Sequence, residues 1–249
     1  MKYNKENPLR VVTLCSGYDS QCLALNRLRE AYPEFDYTLV AWSEFDPESN
    51  APLNRQPAVI AHKALFPQWA DNNLGDMTKI DWEKVPDFDL LFYSTPCQSI
   101  SQAGLQHGFV EGSGTRSSII WNVRDAVKIK RPKFLCLENV KAMVSSKFVG
   151  MFNMWQLELE RLGYVNFAQI LNAKDYGVPQ NRERIFLVSI RMDGLEGLAG
   201  DVRYYFPKPF PLERRLKDVL EEHVDEKYYL SDKMLEYFNS AQGGGQKSK

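Results

Sequence analysis

The sequence predicts an α/β protein with a doubly wound, mostly parallel sheet, and two observations lead there. Short apolar runs alternate with helical patterns along most of the 249 residues, the arrangement of strands linked by crossover helices. The polar residues of chemical interest, Ser16-Gly17, Glu44, Cys97 and Glu138, each fall just past the C-terminal end of a predicted strand. In an open α/β sheet that edge carries the ligand crevice, so the coincidence predicts an active cleft.

The elements follow in order. Residues 10–14, with Val11, Val12 and Leu14, predict the first strand, closed by the turn Ser16-Gly17-Tyr18-Asp19-Ser20. Residues 21–32 place Leu23, Leu25 and Leu28 on a helix that Asp19 or Ser20 can cap. Residues 37–42 predict a second strand ending at Ser43-Glu44-Phe45-Asp46, and Asp46-Pro47 reads as an N-cap with proline in the first helical turn. A buried strand is expected over 88–93, a helix over 118–130, and a strand over 133–137 ending at Glu138-Asn139. A helix over 151–162 and strands over 165–171 and 185–190 complete the pattern. Beyond Arg191 it weakens. Phe206-Pro207-Lys208-Pro209-Phe210-Pro211 is a proline-punctuated connector, short helices are expected over 216–222 and 232–239, and residues 241–249 read as a disordered tail. There is no internal repeat.

Composition narrows the class. A net charge of −1 and a pI near 6.3 leave no global basic footprint, so a nucleic-acid partner has to be met by a local patch. Lys128, Lys130, Arg131 and Lys133 form one basic run, read most simply as a solvated helix end. The four cysteines, Cys15, Cys22, Cys97 and Cys136, contain no CxxC pair, which argues against a disulfide framework and against a bound metal. The first residues hold no apolar leader, and no apolar run approaches membrane-spanning length. A soluble cytoplasmic protein with no membrane partner is expected.

Cys97 is the candidate nucleophile. It lies in Ser94-Thr95-Pro96-Cys97-Gln98-Ser99, directly after an apolar run. Intracellular thiols are mostly inert core residues. Here proline fixes the backbone and polar neighbours keep the sulfur at the surface of a cleft. The following loop is rich in small and polar residues and is suited to closing over a substrate.

Taken together, Leu14-Cys15-Ser16-Gly17, Ser43-Glu44-Phe45-Asp46, Gly75-Asp76-Met77-Thr78, Pro96-Cys97-Gln98, Glu138-Asn139-Val140 and Gln180-Asn181-Arg182-Glu183-Arg184 closely resemble the cytosine-C5 DNA methyltransferases. The resemblance covers roughly residues 11–210. It implies a Rossmann-like S-adenosylmethionine-dependent methyltransferase fold, double-stranded DNA as partner and a bacterial or phage-encoded enzyme. It also implies roles. Cys97 would add to C6 of a flipped cytosine, making C5 nucleophilic. A free cysteine of pKa about 8.5 is only partly thiolate at neutral pH, so local electrostatics should assist it. Glu138 would hold N3 and the amino group, Arg184 would point at O2, and Arg182 would support the Cys97 loop or a phosphate. Gln98, Ser101 and Asn139 would serve the substrate side, with Asn139 fixing the loop, and Gln102, Gln106 or His107 would fill the gap left by the flipped base. For the cofactor, Cys15, Ser16, Gly17, Tyr18 and Pro96 would frame the methionine part, Glu44 the ribose hydroxyls, Phe45 the adenine face and Asp76 the adenine amino group.

Plainer readings stand beside these. Asp76 follows glycine in what is also an ordinary turn, and Arg182 and Arg184 could line a solvated strand edge with Glu183 as ion partner. A strand-end acid also suits an NAD-type site, but Gly17-Tyr18-Asp19-Ser20 lacks the glycine fingerprint such a site requires. The family usually carries an aromatic residue and Gly-x-Gly-Gly after its first strand, and only Gly17 clearly matches that pattern. Neither the family's recognition domain nor its later Gly-Asn-Ser-Val-like segment is found. The expected organisation is a catalytic and cofactor-binding domain over 1–205, the start of a truncated target-recognition region over 206–240 and the tail. The alternatives are a tRNA cytosine-C5 methyltransferase, or a split-enzyme subunit relying on a separate chain for target recognition.

Overall fold

The computed structural model describes residues 3–96, 111–112, 116–193 and 202–240. The expected tail over 241–249 lies outside them. The strands are β1 (Leu9–Leu14), β2 (Tyr37–Ser43), β3 (Leu90–Tyr93), β4 (Phe134–Val140), β5 (Tyr164–Asn172) and β6 (Glu183–Arg191). They form one six-stranded sheet in the order β2-β1-β3-β4-β6-β5. β1 to β4 run parallel, and β6 enters antiparallel to both β4 and β5. This is the doubly wound, mostly parallel α/β sheet that the alternating pattern predicts. Its strand order reverses at β1, between β2 and β3, which opens a crevice beyond their C-terminal ends.

Helices cover both faces because successive strand residues point to opposite sides. Leu9 and Val11 of β1 belong to a core cluster shared with Cys22 and Leu25 of α1 (Ser20–Ala31) and Val59 of α2 (Pro57–Leu65). Val12 and Leu14 point the other way, into a larger cluster. That cluster includes Val123, Ala126 and Val127 of α3 (Val123–Lys130) and Phe152, Trp155 and Leu159 of α4 (Val149–Arg161). Trp155 is fully buried, donates Nε1–H to the Tyr93 hydroxyl at 3.1 Å and meets Trp121 edge-on at 5.5 Å.

Three expectations need correction. Asp46-Pro47 does not open a helix. Asp46 Oδ1 accepts instead from the Glu48 N–H at 3.0 Å, a local turn, and the buried Gln56 side chain accepts from the Asp46 N–H at 2.8 Å and donates to its carbonyl. The helix starts at Pro57, where proline occupies the first turn as expected of the residue type. Second, Glu138 and Asn139 lie within β4 rather than beyond it. β3 pairs with β4 only as far as Leu137, whereas β6 continues to Val140 and so lengthens the strand. Third, the helix expected over 118–130 begins as a 3-10 segment, Arg116–Asn122, before α3. Residues 202–240 are exposed along nearly their whole length, with a 3-10 turn at Leu216–Val219 and α5 (Asp232–Asn239) in the expected places.

At the opposite edge a buried carboxylate ties three strand starts together. Asp89 precedes β3 and accepts from Arg10 of β1 through N (3.2 Å), Nε (3.0 Å) and Nη2 (3.2 Å), and from Lys133 Nζ at 3.0 Å just before β4. Burial alone would raise the Asp89 carboxyl, but the hydrogen bonds from Arg10 and Lys133 outweigh it and hold the group below its usual range. A depressed folded-state pKa means that stabilisation is complete above the unfolded value of about 3.9 and is lost as pH falls through the folded value. Asp89→Asn should therefore cost about 1–3 kcal/mol at pH 7, since the buried amide cannot match the charged donors of Arg10 and Lys133. In urea titrations, the gap between wild type and variant should shrink below about pH 4.

Candidate active site

The site is assembled by three adjoining strand ends. Leu14 pairs with Tyr93, and Tyr93 with Leu137, so the residues following β1 and β3 and the last residues of β4 meet on one edge. After β1 the backbone turns through left-handed conformations at Cys15 (φ 51°), Gly17 (φ 58°) and Asp19 (φ 66°). That geometry aims the Gly17 N–H at Glu44 Oε2, 2.6 Å away. Burial pushes the Glu44 carboxyl up, and the Gly17 hydrogen bond opposes that shift. Ser43 Oγ donates to the Gly75 carbonyl at 2.6 Å, and Asn73 Oδ1 accepts from the N–H groups of Glu44 (3.2 Å) and Gly75 (2.9 Å). These bonds join the loops after β1 and β2 to the segment around Gly75.

Together they wall a pocket of about 610 Å³, within the range of small-molecule sites. Five of the residues expected at a cofactor site line it: Cys15, Glu44, Phe45, Asp76 and Pro96. Ser16 is buried with its hydroxyl 3.4 Å from the Ser43 carbonyl, and Gly17 contributes its N–H to Glu44. Tyr18 is 53% exposed and is not among the lining residues. Asp76 combines both readings. Its Oδ1 accepts from Thr78 N and Oγ1 at 3.0 and 2.8 Å, and it also faces the pocket. Burial would raise the Asp76 carboxyl, but the bonds from Thr78 and Lys79 hold it below the usual range.

Beside the pocket lies a second polar cluster. Glu138 Oε2 accepts from Ser94 Oγ at 2.6 Å, while Oε1 lies 3.1 Å from Arg184 Nε and 3.9 Å from Arg182 Nη2. The two arginines thus reach one carboxylate, as their alternation predicts. Glu183 between them faces away and takes Lys141 Nζ at 3.0 Å on both oxygens, so it is not their ion partner. Asn139 is buried and donates Nδ2–H to the Thr95 carbonyl at 3.0 Å, which anchors the residues leading to Pro96. Cys97, Gln98 and Ser101 lie outside the described residues, as do Gln102, Gln106 and His107. Cys136 lies two positions before Glu138 on β4, but burial pushes its thiol up to about 12, with Glu138 adding to the shift, so it stays protonated at neutral pH.

Sequence reasoning missed Ser94, Asn73 and Gln56. Ser94 stood within reach, since it lies three positions before Cys97 in the sequence. Asn73 carries no signal in the sequence, because its role exists only once β2 and the Gly75 segment are adjacent. Among the described residues no group of three or more His, Cys, Asp or Glu could hold a metal ion. No helix among them is long and apolar enough to cross a membrane.

Comparison with known proteins gives the family and the fold. Residues 9–249 match the family described as C-5 cytosine-specific DNA methylase. The chain is 46% identical over 165 residues to the type II methyltransferase M2.ScrFI of Lactococcus lactis subsp. cremoris, a match spanning 66% of this chain and 44% of that protein. It is 33% identical over 247 residues to the orphan methyltransferase M.SPRI of Bacillus phage SPR, spanning 90% of this chain and 52% of that one. The chain thus spans about half the length of the curated relatives it matches. Its fold resembles a DNMT2 variant of Spodoptera frugiperda (TM-score 0.66, 20% identity, 91% of this chain and 64% of that one). It also resembles a putative DNA modification methyltransferase of an E. coli prophage (TM-score 0.60, 22% identity, 87% and 56%). With the family profile spanning nearly all of the chain and the sheet carrying the motifs to one edge, this chain belongs to the C-5 cytosine-specific DNA methylase family.

Proposed function

We propose that this chain carries the catalytic centre of a DNA (cytosine-5)-methyltransferase that uses S-adenosylmethionine. The observation that carries the reading is the junction of two sites at one sheet edge. Glu138, clasped by Ser94 and Arg184, adjoins a pocket of nucleoside-binding character through the Thr95-Pro96 segment that Asn139 anchors.

The pocket residues fit the cofactor. Two carboxylates, Glu44 and Asp76, offer acceptors to hydroxyl and amino donors, and the half-exposed Phe45 offers a ring face. Glu44 would hold the ribose hydroxyls, Asp76 the adenine amino group and Phe45 the adenine face. Cys15, Ser16, Gly17 and Pro96 would frame the methionine part. When bound, S-adenosylmethionine supplies an electrophilic methyl group.

The chain's own residues prepare the base. The Cys97 thiolate adds to C6 of a cytosine turned out of the duplex, which makes C5 enamine-like and nucleophilic. Glu138 accepts from the exocyclic amino group and shares a proton with N3, which neutralises the charge that builds there as the sulfur attacks. Arg184 fixes the carboxylate and reaches O2, Arg182 supports the cluster from the strand start, and Gln98 and Ser101 serve the substrate side. Once C5 carries the methyl group, water takes the C5 proton, the C5–H electron pair re-forms the C5–C6 double bond, and the C6–S bond breaks to return the Cys97 thiolate. We assign residues 1–205 to this catalytic unit and 206–240 to the start of a target-recognition region. The near-complete exposure of the latter suits an element that packs elsewhere. A role in restriction-modification and a cytoplasmic location complete the proposal.

Trapping tests it. With S-adenosylmethionine and duplex DNA carrying 5-fluorocytosine, the wild-type protein should form a covalent adduct mapping to Cys97. An adduct on transfer RNA alone, or none on either polymer, would overturn the DNA reading. Cys97→Ser should lose the adduct and turnover while cofactor affinity stays within about threefold, because the nucleophile contributes to chemistry rather than to this pocket. Glu138→Gln should lower turnover by about 10²-fold or more, read in single-turnover methyl transfer. Since burial raises the Glu44 carboxyl, its ionised form predominates only above that raised value. Calorimetric cofactor affinity should therefore fall as pH drops toward it, starting above the usual glutamate range near 4.3, and Glu44→Gln should flatten the profile.

A further inference from the structure

Beneath the loop that follows β1 lies a fully buried acid–histidine pair that the proposed mechanism does not use. Asp19 and His62 are both 0% exposed, with Nε2 of His62 3.3 Å from Asp19 Oδ2. The same Oδ2 accepts from Thr13 Oγ1 of β1 at 2.7 Å, and Oδ1 accepts from the Cys22 N–H at 3.3 Å as the N-cap of α1. The contact is a hydrogen bond in the tautomer that carries the imidazole proton on Nε2, with the carboxylate oxygen accepting. Nδ1 of His62 is buried and has no partner among the described residues. The ring stacks on Trp42 of β2 at 3.6 Å and 11°, which leaves it little freedom to turn.

The backbone at Asp19 is what this arrangement holds. Asp19 sits at φ 66°, ψ 60°, a conformation that glycine adopts freely and other residues seldom do. Its N–H donates to the Ser16 carbonyl at 2.8 Å, which closes the Cys15–Asp19 loop. That closure orients Gly17 N–H toward Glu44, the carboxylate facing the pocket. Helix α2 thus reaches the pocket from two sides: Gln56 at its N-terminus fixes Asp46, and His62 one turn from its end fixes Asp19.

We propose that Asp19 and His62 act as a buried positioning pair that presets the Gly17–Glu44 contact and thereby sets the affinity of the pocket for its cofactor. The affinity part rests on reading that pocket as the S-adenosylmethionine site; the loop part does not. The pair touches neither cofactor nor substrate and acts through the loop.

Two measurements separate these parts. In hydrogen–deuterium exchange without ligand, His62→Phe should speed exchange over residues 15–19 by tenfold or more, with the β3 and β4 amides unchanged. His62→Gln, which can return a donor toward Asp19, should restore protection to within threefold. Unchanged exchange over 15–19 in His62→Phe overturns the proposal. In calorimetric titration with S-adenosylhomocysteine, the folded His62→Phe variant should bind at least tenfold more weakly than wild type, and His62→Gln within threefold of it. A purely structural role would leave the affinity of folded protein unmoved, and equal affinity in His62→Phe overturns the affinity claim. Absence of binding by wild type would instead sink the cofactor reading, with exchange still deciding the loop. Should His62→Phe not fold, Asp19→Gly, which keeps the backbone conformation but removes the carboxylate, is measured in the same two ways with the same expected losses.

Discussion

The candidate active site depends on one strand-pairing constraint. β6 lies antiparallel against β4 and continues to pair as far as Val140, after β3 has ended opposite Leu137. Those three extra positions hold Glu138 and Asn139 in extended backbone beside the Ser94–Pro96 segment that follows β3. Because side chains alternate across a strand, neighbouring residues take different tasks. Glu138 reaches Ser94 and the arginines, whereas Asn139 is buried and secures the Thr95 carbonyl. A β4 that stopped with β3 would leave a carboxylate on a loop, with no rigid frame for the charges around it.

Electrostatics then explains why those charges are clustered. A partly buried carboxylate is costly unless it is paired and hydrogen-bonded. Glu138 has a hydroxyl donor on one oxygen and guanidinium groups on the other, all supplied by other strand ends. Charge-assisted bonds of this kind are short and directional, so they fix position as well as charge. Glu44 shows a leaner version of the same physics, with one backbone N–H opposing the upward push of burial. Asp89 at the far edge is more fully compensated, and its carboxyl moves down instead. The contrast suits their places: the fully partnered acid ties strands together, and the sparsely partnered one faces a pocket with acceptor capacity to offer.

Much of this architecture was legible in the sequence because periodicity and turn chemistry are local. The alternation of apolar runs determined the α/β class, the strands and most helices, and the ordered short motifs determined the family and the residues that share the sheet edge. Proline and aspartate at 46–47 misled, because the same pair serves an N-cap or a turn, and the distant Gln56 decided for the turn. Tertiary structure alone decided the length of β4, since antiparallel pairing with a strand some 45 positions later is invisible to any local pattern. It also decided which ion pairs form, sending Glu183 to Lys141 and both arginines to Glu138. The Asp19–His62 pair belongs with these. Forty-three positions separate its members, and only the packing of α2 against the sheet brings them within hydrogen-bonding distance. Local sequence thus sets which residue types stand at the ends of strands, while long-range pairing sets which of them meet.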